Sequence, residues 1–145
     1  MKVLFICKNN QFRSQMAAAI YNKLTRTTNA FSAGSYVGVS ENQDDASIEQ
    51  FFRTPDFFEL MEEKGMNVRR NRTRKLSPEL LAQADIVVSM AEEPFIPGFL
   101  RDNKKVIWWN VDNPSFATRE VSEKTYAQIL KLVENLVANN NAEII

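Results

Sequence analysis

The chain contains no histidine, and Cys7 is its single cysteine in 145 residues. Without histidine there is no Ser-His-Asp hydrolysis, no Cys-His proteolysis and no His-ligated metal chemistry. One cysteine excludes an intrachain disulfide and any multi-cysteine zinc site. Neither sign of charge is in excess, since 18 Lys and Arg balance 18 Asp and Glu, so nothing drives the chain towards nucleic acid or anionic membranes. No apolar stretch approaches the roughly 18 residues a membrane span needs. Met1-Lys2 leads straight into a short strand-like run with no small-residue cleavage site, so no signal peptide is expected and a cytoplasmic protein is the default. The length is that of about one domain, expected to cover residues 1–145.

What is present begins with Val3-Leu4-Phe5-Ile6, a continuous apolar run that reads as a buried strand of a parallel sheet. Met16-Ala17-Ala18-Ala19-Ile20-Tyr21 reads as a helix, and between the two lies Cys7-Lys8-Asn9-Asn10-Gln11-Phe12-Arg13-Ser14. In such a strand-to-helix loop, successive backbone N–H groups can converge on one point, and the helix N-terminus adds a partial positive charge. Tetrahedral oxyanions such as phosphate or arsenate, and vanadate in their place, fit a cradle running from Lys8 to Ser14. A cysteine at a helix N-terminus beside an arginine is favoured as thiolate, so Cys7 would be a nucleophile needing no histidine base. Arg13 offers a planar fork of N–H donors to two equatorial oxygens, which lysine does not reproduce. Ser14 can donate to the sulfur, favouring thiolate and easing its departure. Asn9 and Asn10 suit a tight loop because asparagine tolerates left-handed backbone. Taken alone, Cys7 reads as a small buried hydrophobe at a strand end. The strand, Arg13, Ser14 and the helix together favour the oxyanion loop.

Apolar strand candidates alternate with helical patterns, which predicts βαβ units around a parallel sheet. Strands are expected near residues 2–7, 29–33, 84–90 and 105–109, and helices near 14–26, 45–64, 78–82 and 119–138. In the last helix Val121, Tyr126, Ile129, Leu130, Val133 and Leu136 recur at helical spacing and predict packing. Asn139-Asn140-Asn141 reads as a frayed tail. Ligands of a doubly wound sheet sit beyond the carboxyl ends of the strands, near the reversal of strand order. Cys7 ends the first strand, Ser32 to Ser35 end the second, and Asp112 follows the last.

Val3-Leu4-Phe5-Ile6-Cys7 through Arg13-Ser14-Gln15-Met16-Ala17 resembles the N-terminus of the low-molecular-weight protein tyrosine phosphatases and of the related thioredoxin-type arsenate reductases. The likeness continues in Phe31-Ser32-Ala33-Gly34, in Gly65-Met66-Asn67-Val68 with Thr73-Arg74-Lys75-Leu76, in Ala84-Asp85-Ile86-Val87-Val88-Ser89-Met90, and in Trp109 leading to Asp112-Asn113-Pro114. It implies an α/β three-layer sandwich of flavodoxin-like type, with a four-stranded parallel sheet and helices on both faces. It also implies support of Asn10 by Ser32, although a polar strand-end cap is the plain alternative for that serine. Four departures stand out. Phe12 occupies the place of a second cysteine that forms a protective disulfide, Asn9 that of a loop glycine, and Asn71 that of a histidine. Asn113 stands where the family has its general acid, an aspartate immediately before proline, and Asp112 lies one residue earlier. Asn113 cannot donate a proton to a leaving group.

Residues 35–58 are longer than the family's usual segment and include the polar stretch Ser40-Glu41-Asn42-Gln43-Asp44-Asp45. Phe51-Phe52 and Phe57-Phe58 in it read as core, with a lid, pocket wall or dimer contact as the alternative. Tyr36 and Phe116 are candidate aromatic walls on opposite sides of the substrate, or ordinary packing. Arg69-Arg70-Asn71-Arg72-Thr73-Arg74-Lys75 reads as solvated surface, with contact to an acidic protein substrate as the alternative. Trp108-Trp109 is expected to close the core at a strand end, and Glu92 and Glu93 to be surface charges. The leading expectation is a phosphomonoester hydrolase acting on protein phosphotyrosine or a related small aryl phosphate through a phosphocysteine intermediate. Cys7 and Arg13 would be catalytic, Asp112 the acid and base, and no metal or cofactor is required. Gln11 leaves phosphoarginine open as a substrate. Arsenate reduction with an external thiol and a weakly active oxyanion-binding regulatory module are the alternatives.

Overall fold

The computed structural model describes residues 1–39 and 41–144, with side chains as far as Asn140; Ser40 of the polar stretch lies outside the described residues. The strand expected at the start is β1 (Val3–Cys7), buried along its whole length. Helix α1 (Arg13–Thr25) follows, then β2 (Ala30–Gly34), a 3-10 turn at Ile48–Phe51 and α2 (Asp56–Glu63). The second half carries α3 (Pro78–Gln83), β3 (Ile86–Ser89), α4 (Gly98–Arg101), β4 (Val106–Trp108) and α5 (Arg119–Ile144). The pairings among these four strands are parallel and their order is β2-β1-β3-β4. The chain therefore reverses direction across the sheet between β1 and β3, where Val3 pairs with both Ala30 and Ile86. A ligand crevice is expected beyond Cys7 and Ser89, the carboxyl ends of these two central strands.

Alternation along β1 divides the core. Val3, Phe5 and Cys7 face the layer of α1, α2 and α5, where Met16, Ile20, Phe57, Met61, Ile129 and Val133 are buried. Leu4 and Ile6 face the opposite layer with Leu81 of α3 and Leu100 of α4. Each fully buried aliphatic or phenyl side chain contributes about 1.5–3 kcal/mol. Helix α1 stops at Arg26, which adopts a left-handed φ of 55° and donates its N–H back to Asn22 and Lys23 carbonyls. Ser77 caps α3 by accepting from the Leu80 N–H, with Pro78 in the first helical position.

Four expectations need correction. The helix expected over 45–64 is two pieces, because Pro55 restricts Thr54 to extended backbone and α2 starts only at Asp56. Helix α4, four residues long, is too short to leave a periodic signal. Asn139–Asn141 continue the backbone of α5 rather than fraying. Of the tryptophan pair only Trp109 closes the core, with its ring 5.7 Å from Phe5, while Trp108 is 45% exposed.

Candidate active site

The loop 8–12 joins β1 to the first residue of α1, and it closes tightly because Asn10 takes a left-handed φ of 55°. Asn10 is fully buried and its side chain is saturated. Its Nδ2 donates to Ser14 Oγ at 2.7 Å and to Ser32 Oγ at 2.9 Å, and its Oδ1 accepts from the Arg74 N–H at 2.8 Å. The Asn10 carbonyl accepts from Gln15 Nε2 at 3.0 Å, and Gln15 is itself held by Asn71 Nδ2 at 3.0 Å. Gly34, at the end of β2, lets the loop lie close. A Cβ there would come within 2.4 Å of Val37 Cγ2, 2.9 Å of the Lys8 carbonyl and 3.0 Å of Asn10 Cβ.

Around the buried Cys7 sulfur stand Ser14 Oγ at 3.1 Å and the Asn10 N–H at 3.3 Å. Ser14 Oγ already accepts from Asn10, which leaves its hydroxyl hydrogen free to point at the sulfur. Hydrogen bonds donated to sulfur stabilise negative charge on it.

Arg13 is 1% exposed, and three acceptors hold its Nη1: the Met90 carbonyl at 2.6 Å, the Val111 carbonyl at 2.9 Å and Glu92 Oε2 at 3.0 Å. Nη2 reaches Glu92 Oε1 at 3.3 Å, and Nε donates to nothing among the described residues. One edge of the guanidinium is thus fixed by the protein, and the Nε edge remains available to an anion. Glu92, expected as a surface charge, is the counter-ion of this buried arginine, whereas Glu93 pairs with Arg101 at the surface. Its position just past β3, at the strand-order reversal, was the available signal.

The remaining candidates fall into three recesses. Lys8, Asn9, Gln11 and Tyr36 line a groove of about 310 Å³ that also includes Asn42 and Phe51. Lys8 Nζ sits 3.7 Å from the Phe95 ring centre and 5.3 Å from that of Tyr36, and the two rings meet edge-on at 4.8 Å. Phe116 lines a second groove of about 540 Å³ with Gln11, Phe12, Phe51 and Arg53, whose guanidinium lies 4.7 Å from the Phe116 ring centre. Tyr36 and Phe116 thus line different grooves, and Gln11 and Phe51 are common to both. Asp112 lies in a third recess of about 210 Å³ with Glu92, Trp109 and Asn113. It is exposed and forms no hydrogen bond among the described residues, while Asn113 Nδ2 donates to Glu92 Oε1 at 3.3 Å. Phe57 and Phe58 are buried in the core, Phe52 packs against it and also lines the second groove, and Phe51 lines both grooves. In the basic run, Arg69 pairs with Glu49 and Glu62, and Arg72 with Asp45, at the surface.

Gln15, Asn42 and Phe95 are site residues that sequence reasoning did not single out, and Glu92 is one that it assigned to the surface. The contacts of Gln15 with Asn71, Asn42 with Asn9, Glu92 with Arg13 and Phe95 with Lys8 cross long separations that no local spacing encodes, whereas the bond of Gln15 to the Asn10 carbonyl is local.

Among solved structures, the low molecular weight protein tyrosine phosphatase from T. tengcongensis is 25% identical, with a TM-score of 0.71 over 96% of this chain and 99% of its own. A YwlE mutant from Bacillus subtilis, 22% identical, shares the fold with a TM-score of 0.76 over 97% of this chain and 99% of that one. A curated arsenate reductase from Halalkalibacterium halodurans is 28% identical over 127 residues, 84% of this chain and 80% of that protein. The sequence pattern of the family described as low molecular weight phosphotyrosine protein phosphatase matches residues 2–144, all four strands and the loop 8–12 included. The chain belongs to that family of phosphoester hydrolases.

Proposed function

We propose that this protein hydrolyses phosphomonoesters of the phosphotyrosine type on protein substrates, in the cytoplasm, through a phosphocysteine on Cys7. Cys7 sulfur attacks phosphorus in line and the ester oxygen departs. The loop amides and the free edge of Arg13 meet the equatorial oxygens. Asp112 gives a proton to the leaving oxygen and then takes one from the water that attacks the phosphocysteine, releasing inorganic phosphate and regenerating the thiolate. It is the carboxyl group in its recess that has no partner among the described residues, whereas Glu92 is committed to Arg13 and Asn113. The observation that carries the reading is a buried sulfur hydrogen-bonded by Ser14 and the Asn10 amide, in the same strand-loop-helix passage as a buried guanidinium fixed on one edge only.

The names of the curated relatives favour a second reading, arsenate reduction. Cys7 is the single cysteine of the sequence, so that reaction would need a thiol supplied from outside. The test is a paired assay of the purified protein and Cys7→Ser, with an aryl phosphate and with arsenate plus a small thiol. Cys7→Ser is expected to abolish aryl phosphate turnover while vanadate still binds, because the cradle is backbone and arginine. Full activity of that variant overturns the covalent mechanism, and turnover of arsenate alone transfers the assignment to reduction.

A further inference from the structure

The inner and outer parts of the oxyanion loop are held by different means. Asn10 is anchored from behind by Ser14, Ser32, Gln15 and the Arg74 amide. Asn9 and Gln11, on either side of it, have no such support. Among the described residues each of these side chains makes one hydrogen bond, and both bonds go to Asn42. Asn42 Nδ2 donates to Asn9 Oδ1 at 2.8 Å and to the Tyr36 carbonyl at 3.2 Å, while Gln11 Nε2 donates to Asn42 Oδ1 at 3.4 Å. The last distance is at the limit of a useful bond, so the Asn9 arm dominates.

Asn42 is firmly mounted for this task. Its carbonyl accepts from the Gly38 N–H at 2.6 Å and its N–H donates to the Val39 carbonyl at 3.1 Å, with Gly38 in the left-handed region at φ 91°. Two and three residues on, Asp44 Oδ1 accepts from the Lys75 N–H at 2.8 Å and the Asp45 N–H donates to the Thr73 carbonyl at 3.0 Å. Arg74, between those two partners, is the residue whose N–H holds Asn10. Both halves of the loop are thereby referenced to the same stretch, 73–75. Asn9 stands where the resemblance implies glycine, and the added side chain finds its partner in the segment that is longer than usual.

We propose that Asn42 is a positioning residue of the phosphatase site: by holding the Asn9 side chain it fixes the outer amides of the oxyanion loop against the transferring phosphoryl group. This rests on the phosphatase reading above. Asn42 acts through Asn9. Loss of one such bond, in a site where small misplacements are amplified, is worth roughly tenfold in rate.

The experiment compares the full chain with Asn42→Ala, Asn42→Asp, Asn9→Gly and the double variant Asn42→Ala/Asn9→Gly. Readouts are kcat and KM on para-nitrophenyl phosphate, affinities for vanadate and inorganic phosphate, and thermal melting. Asn42→Ala is expected to lower kcat by roughly tenfold with KM little changed, and to weaken vanadate, which mimics the five-coordinate transition state, more than phosphate. Asn42→Asp removes the donor to Asn9 but keeps the size of the side chain. It is expected to behave alike, and it serves if the alanine variant melts early. In the Asn9→Gly background, Asn42→Ala should change kcat by less than about twofold, as for residues that act as a unit. Unchanged kcat and vanadate affinity in both Asn42 variants would overturn the proposal, as would an undiminished loss in the Asn9→Gly background. If the native chain turns over no phosphomonoester, the phosphatase reading fails by itself and the vanadate titrations still decide the role of Asn42. Absence of vanadate binding to the native chain overturns both.

Discussion

Asn113 stands where the resemblance implies the proton donor, and its amide is engaged with Glu92 at 3.3 Å. The neighbouring Asp112 carboxyl is exposed and unengaged among the described residues, so the two positions can be separated by substitution. Asp112→Asn is expected to slow hydrolysis of esters with poor leaving groups by roughly 10²–10⁴-fold and to affect activated aryl esters far less. Asn113→Asp in the same background restores a carboxyl group and should recover part of the loss. A leaving-group series on the three proteins checks this, and indifference to both changes refutes the assignment of the acid. At this scale the sequence was informative where the chemistry is local. Cys7, Arg13 and Ser14 lie within one strand-loop-helix passage, and Ser14 Oγ stands 3.1 Å from the Cys7 sulfur, a contact that this spacing suggests. Glu92 was misread because its partner is 79 residues away and an acidic residue just past a strand looks like any surface charge.

Strands β1 and β3 were readable because a strand buried along its length reads as a continuous apolar run, whereas β2, with Ser32 and Gly34, and the short, partly exposed β4 were placed by their alternation with helical patterns. The long segment between β2 and α3 was not readable in the same way. Its phenylalanines fit a helical period, yet Pro55 breaks the helix, and the hydrogen bonds that organise residues 43–48 run chiefly to residues 71–75 rather than to neighbours in sequence. The contact between the end of β2 and the oxyanion loop gives a test at the level of the element. In Gly34→Ala the new methyl would displace Val37, which can rotate, but also the Lys8 carbonyl, which cannot move without the loop. A loss of about 1–3 kcal/mol in stability is expected from such overpacking, together with a fall in kcat/KM that exceeds any loss of folded protein. Melting and activity measured on one preparation separate the two effects, and a variant equal to the native chain in both would show that the loop tolerates the intrusion.

Two apolar layers clasp the sheet, and the layer of α1, α2 and α5 contains phenols that couple the whole fold to alkaline pH. Burial pushes the Tyr21 hydroxyl above its ordinary value, and burial with the nearby Glu134 does the same for Tyr126. The unfolded chain releases these protons near pH 10, about where free phenols titrate, while the folded chain still holds them. The unfolded state then binds fewer protons, so stability is intact below about pH 10 and falls as pH rises above it. Tyr21→Phe removes one of the two linked groups. Melting temperatures followed from about pH 8 to 11 should decline less steeply for that variant, and parallel declines would refute the linkage.

The grip of Met90, Glu92 and Val111 on Arg13 reaches further than charge balance. A guanidinium held this way has no swing left to lose when an anion arrives, so its plane is set before the encounter. That plane is set by the ends of β3 and β4, and β4 is a three-residue strand with a neighbour on one side only. Any slip of this outermost strand carries the Val111 carbonyl with it and tilts the fork. On the proposed reading of the site, oxyanion affinity becomes a gauge of how well the sheet's edge is seated, measured at a guanidinium that, among the described residues, this edge touches through the Val111 backbone.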